Sequence, residues 1–89
     1  MASRFFDSFL NELRARCAIE DALKQFMRGI DRKDWALARA TYHDDAIDEH
    51  GFFRGPPDEF LAVVAKAHEG QDHSMHFISN IQIDFMARD

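Results

Sequence analysis

Between residues 19 and 30 the large apolar side chains Ile19, Leu23, Phe26, Met27 and Ile30 follow one another at intervals of four, three, one and three. That spacing puts all five on one stripe of an α-helix, and a stripe of this size has to be buried. The pattern then stops. Gly29 and the charged run from Asp31 to Asp34 are expected to end the helix, and Asp34 is a good N-cap for a second, shorter helix carrying Trp35, Leu37, Ala38 and Tyr42. Two helices meeting at an acidic corner are the frame on which the rest of the chain must close.

Upstream, Leu10, Leu13 and Cys17 fall on a different stripe. Either the first helix is broken near Ala15, or its start packs against something other than the main core. Phe5, Phe6 and Phe9 form an apolar cluster that can cap the fold or dock on a second subunit. Residues 1–10 are therefore treated as an N-terminal extension to a single domain over 11–89. Downstream, Ala46 to Phe53 mixes apolar and polar residues in alternation and reads as a short strand. Gly55-Pro56-Pro57-Asp58 breaks the chain and opens a third helix, with proline suited to its first turn. Phe60, Leu61, Val64 and Ala67 give that helix its buried stripe, and Gly70 ends it.

From Ser74 to Met86 the period changes to two, predicting the longest strand. Phe77, Ile81, Ile83 and Phe85 share one face, and His76, Ile78, Asn80, Gln82 and Asp84 the other. If His76 points into a cavity under the helices, the apolar face lies outside and marks an interface. The opposite choice buries the apolar face and leaves His76 in water. A bulge that reverses the register partway along is a third arrangement.

Eighty-nine residues make one small domain with a marginal core. An apolar fraction of 46%, with nine phenylalanines, is that of a packed chain rather than a disordered one. A net charge of -5 leaves no basic face able to neutralise several phosphates, so a nucleic-acid partner is not expected. The N-terminus lacks the apolar run of a signal peptide or membrane span, and the lone Cys17 cannot form an internal disulfide. The chain reads as soluble and cytoplasmic, without a membrane partner. Cys17 has no activating neighbour in sequence and reads as a small helix residue.

Three stretches carry the chemistry: Gly29-Ile30-Asp31-Arg32-Lys33-Asp34-Trp35, then Thr41-Tyr42-His43-Asp44-Asp45-Ala46, then His76-Phe77-Ile78-Ser79-Asn80. A helix stopping at an aspartate, a short helix opening on Asp-Trp and a strand opening on histidine resemble the SnoaL-like branch of the nuclear transport factor 2-like superfamily. That branch includes polyketide cyclases, scytalone dehydratase and bile-acid dehydratases. The resemblance runs from about Asn11 to the C-terminus. It implies an α+β, cone-like (cystatin-like) fold, with three N-terminal helices packed on a curved, mostly antiparallel sheet. Only two strands are evident before the turn expected at Ala87-Arg88-Asp89, so the later strands of that cone are missing and the domain is expected to be incomplete.

The resemblance also implies a cofactor-independent lyase or isomerase, dehydratase-like or cyclase-like, acting on a small hydrophobic ring or polyketide-like molecule. Asp31 and His76 would be its acid/base pair. A carboxylate beside an imidazole orients it and stabilises its charged form, and the chemistry needs no metal or organic cofactor. At the C-terminal end of a helix, Asp31 is expected to be somewhat more basic than usual. The scytalone enzymes have tyrosines where this chain has Ile30 and His50, so only the acid/base core carries over. Trp35, Tyr42, His50 and Asn80 are candidates for lining the substrate cavity. Related proteins dimerise through the outer face of the sheet, and a homodimer is expected here.

Plainer readings compete. Asp31 can simply cap the turn between two helices, His76 can open a strand half in water, His50 can be a rim residue, and Trp35 and Tyr42 can be core. His73 and His76, three apart, would sit on opposite faces of a strand, which is a poor metal spacing. His43-Asp44 is similar to a metal phosphohydrolase dipeptide but lacks that family's further ligands. No phosphate-binding glycine loop or nucleophile elbow is present. The functional alternatives to an enzyme are a non-catalytic member of the fold that binds a small ligand or a protein, and an inactive fragment.

Overall fold

The computed structural model describes residues 4–71 and 74–86. Among these residues, three helices and a two-stranded antiparallel sheet make an α+β fold, in the order α1 (Arg4–Asp31), α2 (Trp35–Ala40), β1 (Asp48–Glu49), β2 (Arg54–Gly55) and α3 (Pro57–Ala67). At about 1.5 Å per residue, the 28 residues of α1 span roughly 42 Å. The helix is unbroken at Ala15, so the change of stripe reflects what covers each half. Its C-terminal half packs on α2, while Phe5, Phe6, Phe9 and Leu13 remain exposed on its N-terminal half.

Gly29 does not terminate α1, as the sequence suggested. The stop lies at Lys33, which adopts the left-handed conformation (φ 57°). The Asp34 amide donates to the Gly29 carbonyl (2.8 Å) and the Lys33 amide to the Ile30 carbonyl (3.2 Å). This pair of bonds is the Schellman closure, here without the usual glycine. Asp34 then caps α2, its carboxylate accepting the Leu37 amide at 3.1 Å. One residue thus closes the first helix and opens the second. Gly29 serves instead to admit α2: a Cβ there would lie 2.7 Å from the Ala38 nitrogen and 3.0 Å from its Cα. Tyr42, expected on the second helix, lies just beyond its end.

The core is small: Ile30, Ala38, Phe60 and Leu61 are buried, and Phe26, Trp35, Phe53 and Val64 pack around them. Pro57 opens α3 within the first turn, where its missing N–H costs nothing, and is itself fully buried. The helix ends at Ala67, and Gly70 (φ 84°) stands in the turn that follows.

Residues 46–53 are not one strand. Asp48 and Glu49 pair with Gly55 and Arg54, and a hairpin turns at Gly51. The Phe52 amide donates to the His50 carbonyl (2.7 Å) across Gly51 at φ 75°, a three-residue turn that glycine enters without strain. Alternation alone does not reveal such a turn, because the pattern continues through it.

The segment 74–86 also differs from expectation: it contains no strand. A strand needs an edge to pair with, and both edges of the two-residue ladder are too short to supply one. Its side chains nevertheless choose sides. Ser74 and Ile78 are half-buried before Asn80, and Ile81 and Ile83 after it. The change of parity occurs at Asn80, in the left-handed region at φ 57°, which asparagine tolerates better than most residues. The four residues expected on one apolar face are therefore separated, with Phe77 88% exposed and Ile81 and Ile83 turned inward. Arg16 ties the end of the segment to α1 by donating to the Ile83 carbonyl (2.9 Å) and lying over the Phe85 ring. His73 and the turn expected at 87–89 lie outside the described residues.

Candidate functional site

The Schellman closure leaves Asp31 as the last residue of α1, and the segment beginning at Ser74 passes in front of it. Three donors converge on its carboxylate. The His76 amide donates to Oδ2 (2.8 Å), the Ser74 hydroxyl to Oδ1 (3.0 Å), and His76 Nδ1 makes a short contact with Oδ1. Only 16% of the Asp31 side chain is exposed, against 44% for His76. Partial burial pushes the carboxyl upward. The hydrogen bonds from the His76 amide, the His76 ring and Ser74, with the imidazole's charge, outweigh it, so Asp31 lies below the usual carboxylate range. This corrects the expectation of a more basic aspartate: the helix end acts weakly, and three direct donors act strongly.

With Nδ1 on the carboxylate, Nε2 is the ring atom left to exchange a proton. The pair stands in an open cleft of about 450 Å3, with Met27, Met75 and Ile78 as its apolar part and Lys24, Arg28 and Arg32 along one side.

The other candidates do not line this cleft. Tyr42 and His50 meet elsewhere, on a carboxylate that the sequence reading passed over. Asp48, only 7% exposed, accepts from the Tyr42 hydroxyl at Oδ2 and contacts His50 Nε2 at 2.5 Å through Oδ1. The His50 ring lies flat on Phe60, centroids 4.1 Å apart, and Tyr42 meets Phe26 edge-on at 5.6 Å. Burial, then the bond to Asp48 and its negative charge, push the Tyr42 phenol well above its usual range, Arg39 opposing. This trio edges a second cleft of about 480 Å3, walled by Ile19, Leu23 and Phe26. Met27 borders both clefts. The one available signal for Asp48 was its place two residues before His50, which puts both side chains on one side of an extended chain.

Trp35 packs on the core and meets the His68 ring edge-on, apart from both constellations. Asn80 is exposed and sets the backbone turn described above rather than a cavity wall. Among the described residues, no group of three or more histidine, cysteine, aspartate or glutamate side chains is placed to hold a metal ion. No helix among them is long and apolar enough to cross a membrane.

A helix that ends on Asp31, a small antiparallel sheet and a histidine brought back onto that aspartate fit an α+β domain of the nuclear transport factor 2-like superfamily. The chain belongs to the SnoaL-like domain family, whose model matches residues 11–89. Neither a curated protein nor a solved structure matches it.

Proposed function

We propose that this chain is a cofactor-independent acid/base lyase or isomerase acting on a small molecule, with His76 moving the proton and Asp31 as its positioning partner. The observation that carries the reading is the double hold of Asp31 on His76, through both ring and amide, on the wall of a cleft. In the tautomer with the proton on Nδ1, Nε2 takes a proton from a carbon beside a carbonyl. Returning it to a departing hydroxyl as the C–O bond breaks releases water, and returning it to a different carbon isomerises the substrate. Family membership supports the reaction class without fixing which of these occurs.

The test is turnover of candidate ring and polyketide-like substrates by the chain and by its Asp31→Asn and His76→Gln variants. Loss of at least about a hundredfold in His76→Gln is the expected result. Unchanged turnover of an accepted substrate in both variants would refute the assignment.

A second reading, a binding member without catalysis, is favoured by one observation. Two of the three bonds to Asp31 come from the Ser74 hydroxyl and a backbone amide, as an anchor for the closing segment would require. Ligand binding that persists in both variants, with no turnover in the parent chain, would select it. A homodimer formed through the exposed Phe77 and Phe85 belongs to the proposal. A monomer mass that does not change with concentration would rule it out.

A further inference from the structure

Lys24 and Arg28 of α1 and Arg32, one residue past its end, recur at intervals of four, and all three line the cleft that holds Asp31 and His76. Four residues advance a helix by about 6 Å, so the three cations form a row about 12 Å long beside the imidazole. Among the described residues none of the three has an ion-pair partner, whereas Arg39 pairs with Asp58 and Arg54 with Glu49. Asp31, the one carboxylate among the described residues of the cleft, is committed to Ser74 and His76. A chain of net charge -5 thus presents, among the described residues, a row of three cations without ion-pair partners at its candidate acid/base centre. The apolar lining of the cleft is Met27, beside the row on α1, with Met75 and Ile78 of the returning segment.

We propose that the ligand of this cleft is a small organic acid: an apolar ring or chain seated on Met27, Met75 and Ile78, whose carboxylate is held by the Lys24–Arg28–Arg32 row. The proposal rests on the Asp31–His76 reading for what happens to the bound molecule, but not for binding itself. Guanidinium groups take a carboxylate through two parallel hydrogen bonds, which orients the ring as well as attracting it. The hydroxyl or carbonyl being processed then faces His76, and the acid group stays outside the chemistry. A neutral ring lacks this handle and gains only the apolar contact.

The experiment compares 2-naphthoate with its neutral isostere 2-naphthamide, titrated into the full chain by calorimetry or by amide chemical-shift changes at low and at moderate salt. The expected result is tighter binding of the acid, with a preference that falls as salt rises. Each of Lys24→Gln, Arg28→Gln and Arg32→Gln should weaken the acid about two- to fivefold and leave the amide unchanged. Arg14→Gln removes an exposed charge from the same helix away from the cleft and should change neither. Naphthyl phosphate is the comparison that separates carboxylate from phosphate: binding stronger than that of the carboxylate overturns the assignment of class. Equal binding of acid and amide, no binding of either, or an equal loss in Arg14→Gln overturns the proposal. His76→Gln separates it from the proposed catalysis, because the acid preference should survive there although turnover is lost.

Discussion

Replacing Gly29 with alanine sets two effects of known sign against each other. Gly29 is inside a helix, where alanine is intrinsically better by about 0.8–1.0 kcal/mol. Its position against α2 opposes that gain. The new Cβ would sit 2.7 Å from the Ala38 nitrogen and 3.0 Å from both its Cα and its Cβ. These are backbone atoms and a rigid methyl, so no side chain can swing aside, and Ala38 is completely buried. The second helix must move outward by roughly 0.7 Å to restore ordinary contact distances, in a core built on four buried residues. Overpacking of this kind costs about 1–3 kcal/mol. The penalty exceeds the propensity gain, leaving a net loss of about 1 kcal/mol, which lowers Tm by about 4–8 °C in a domain of this size. Urea unfolding and thermal melts followed by circular dichroism measure it. Ala18→Gly, exposed in the middle of the same helix, gives the propensity difference without packing and should cost about 1 kcal/mol. Adding the two losses isolates the packing penalty. A Gly29→Ala protein more stable than the parent by the amount lost in Ala18→Gly would show that α2 does not press on α1 there.

Further expectations concern the corner and the two carboxylates. Lys33→Gly should stabilise the chain by about 1 kcal/mol, because glycine enters the left-handed conformation without strain; the offset is loss of the Lys33 ammonium contact with the Gln71 carbonyl. A melt no higher than that of the parent would count against the helix closure described above. Asp31 has a folded-state pKa below its ordinary 3.8, so its contribution to stability is fully present above that value and is lost as pH falls through the lower folded one. The difference in urea midpoint between the parent and Asp31→Asn should therefore shrink as pH falls below 3.8. A difference that grew on acidification would contradict the three-donor arrangement. Tyr42 is the one tyrosine in the chain, so a spectroscopic titration reads it alone. Its phenolate should appear well above the ordinary range, Asp48→Asn should bring it down, and an unshifted parent titration would refute the buried Tyr42–Asp48 bond. Tyr42→Phe removes that bond and leaves a buried carboxylate with one partner fewer, at a cost of about 1–3 kcal/mol by chemical denaturation.

Local features were legible in the order of the amino acids. The stripe from Ile19 to Ile30 specified a helix, Asp34 its successor's cap and Pro56-Pro57 the start of a third, because periodicity, capping and proline geometry act within a few residues. The sequence also singled out Asp31 and His76, through the order in which helix end and histidine appear, although it could not bring them together. That contact joins residues 45 apart and required the completed fold. The fold decided too that Gly29 is a docking site rather than a stop, since that depends on where Ala38 arrives. The alternation of 74–86 promised a strand, but a strand exists only when another chain segment satisfies its hydrogen bonds. Charge behaved likewise. The position of Asp31 on its helix predicted a more basic carboxyl, and the donors delivered by the returning segment reversed the sign. Asp48 was passed over because its one local cue, His50 two residues on, does not distinguish a solvated aspartate from one that folding buries between a phenol and an imidazole.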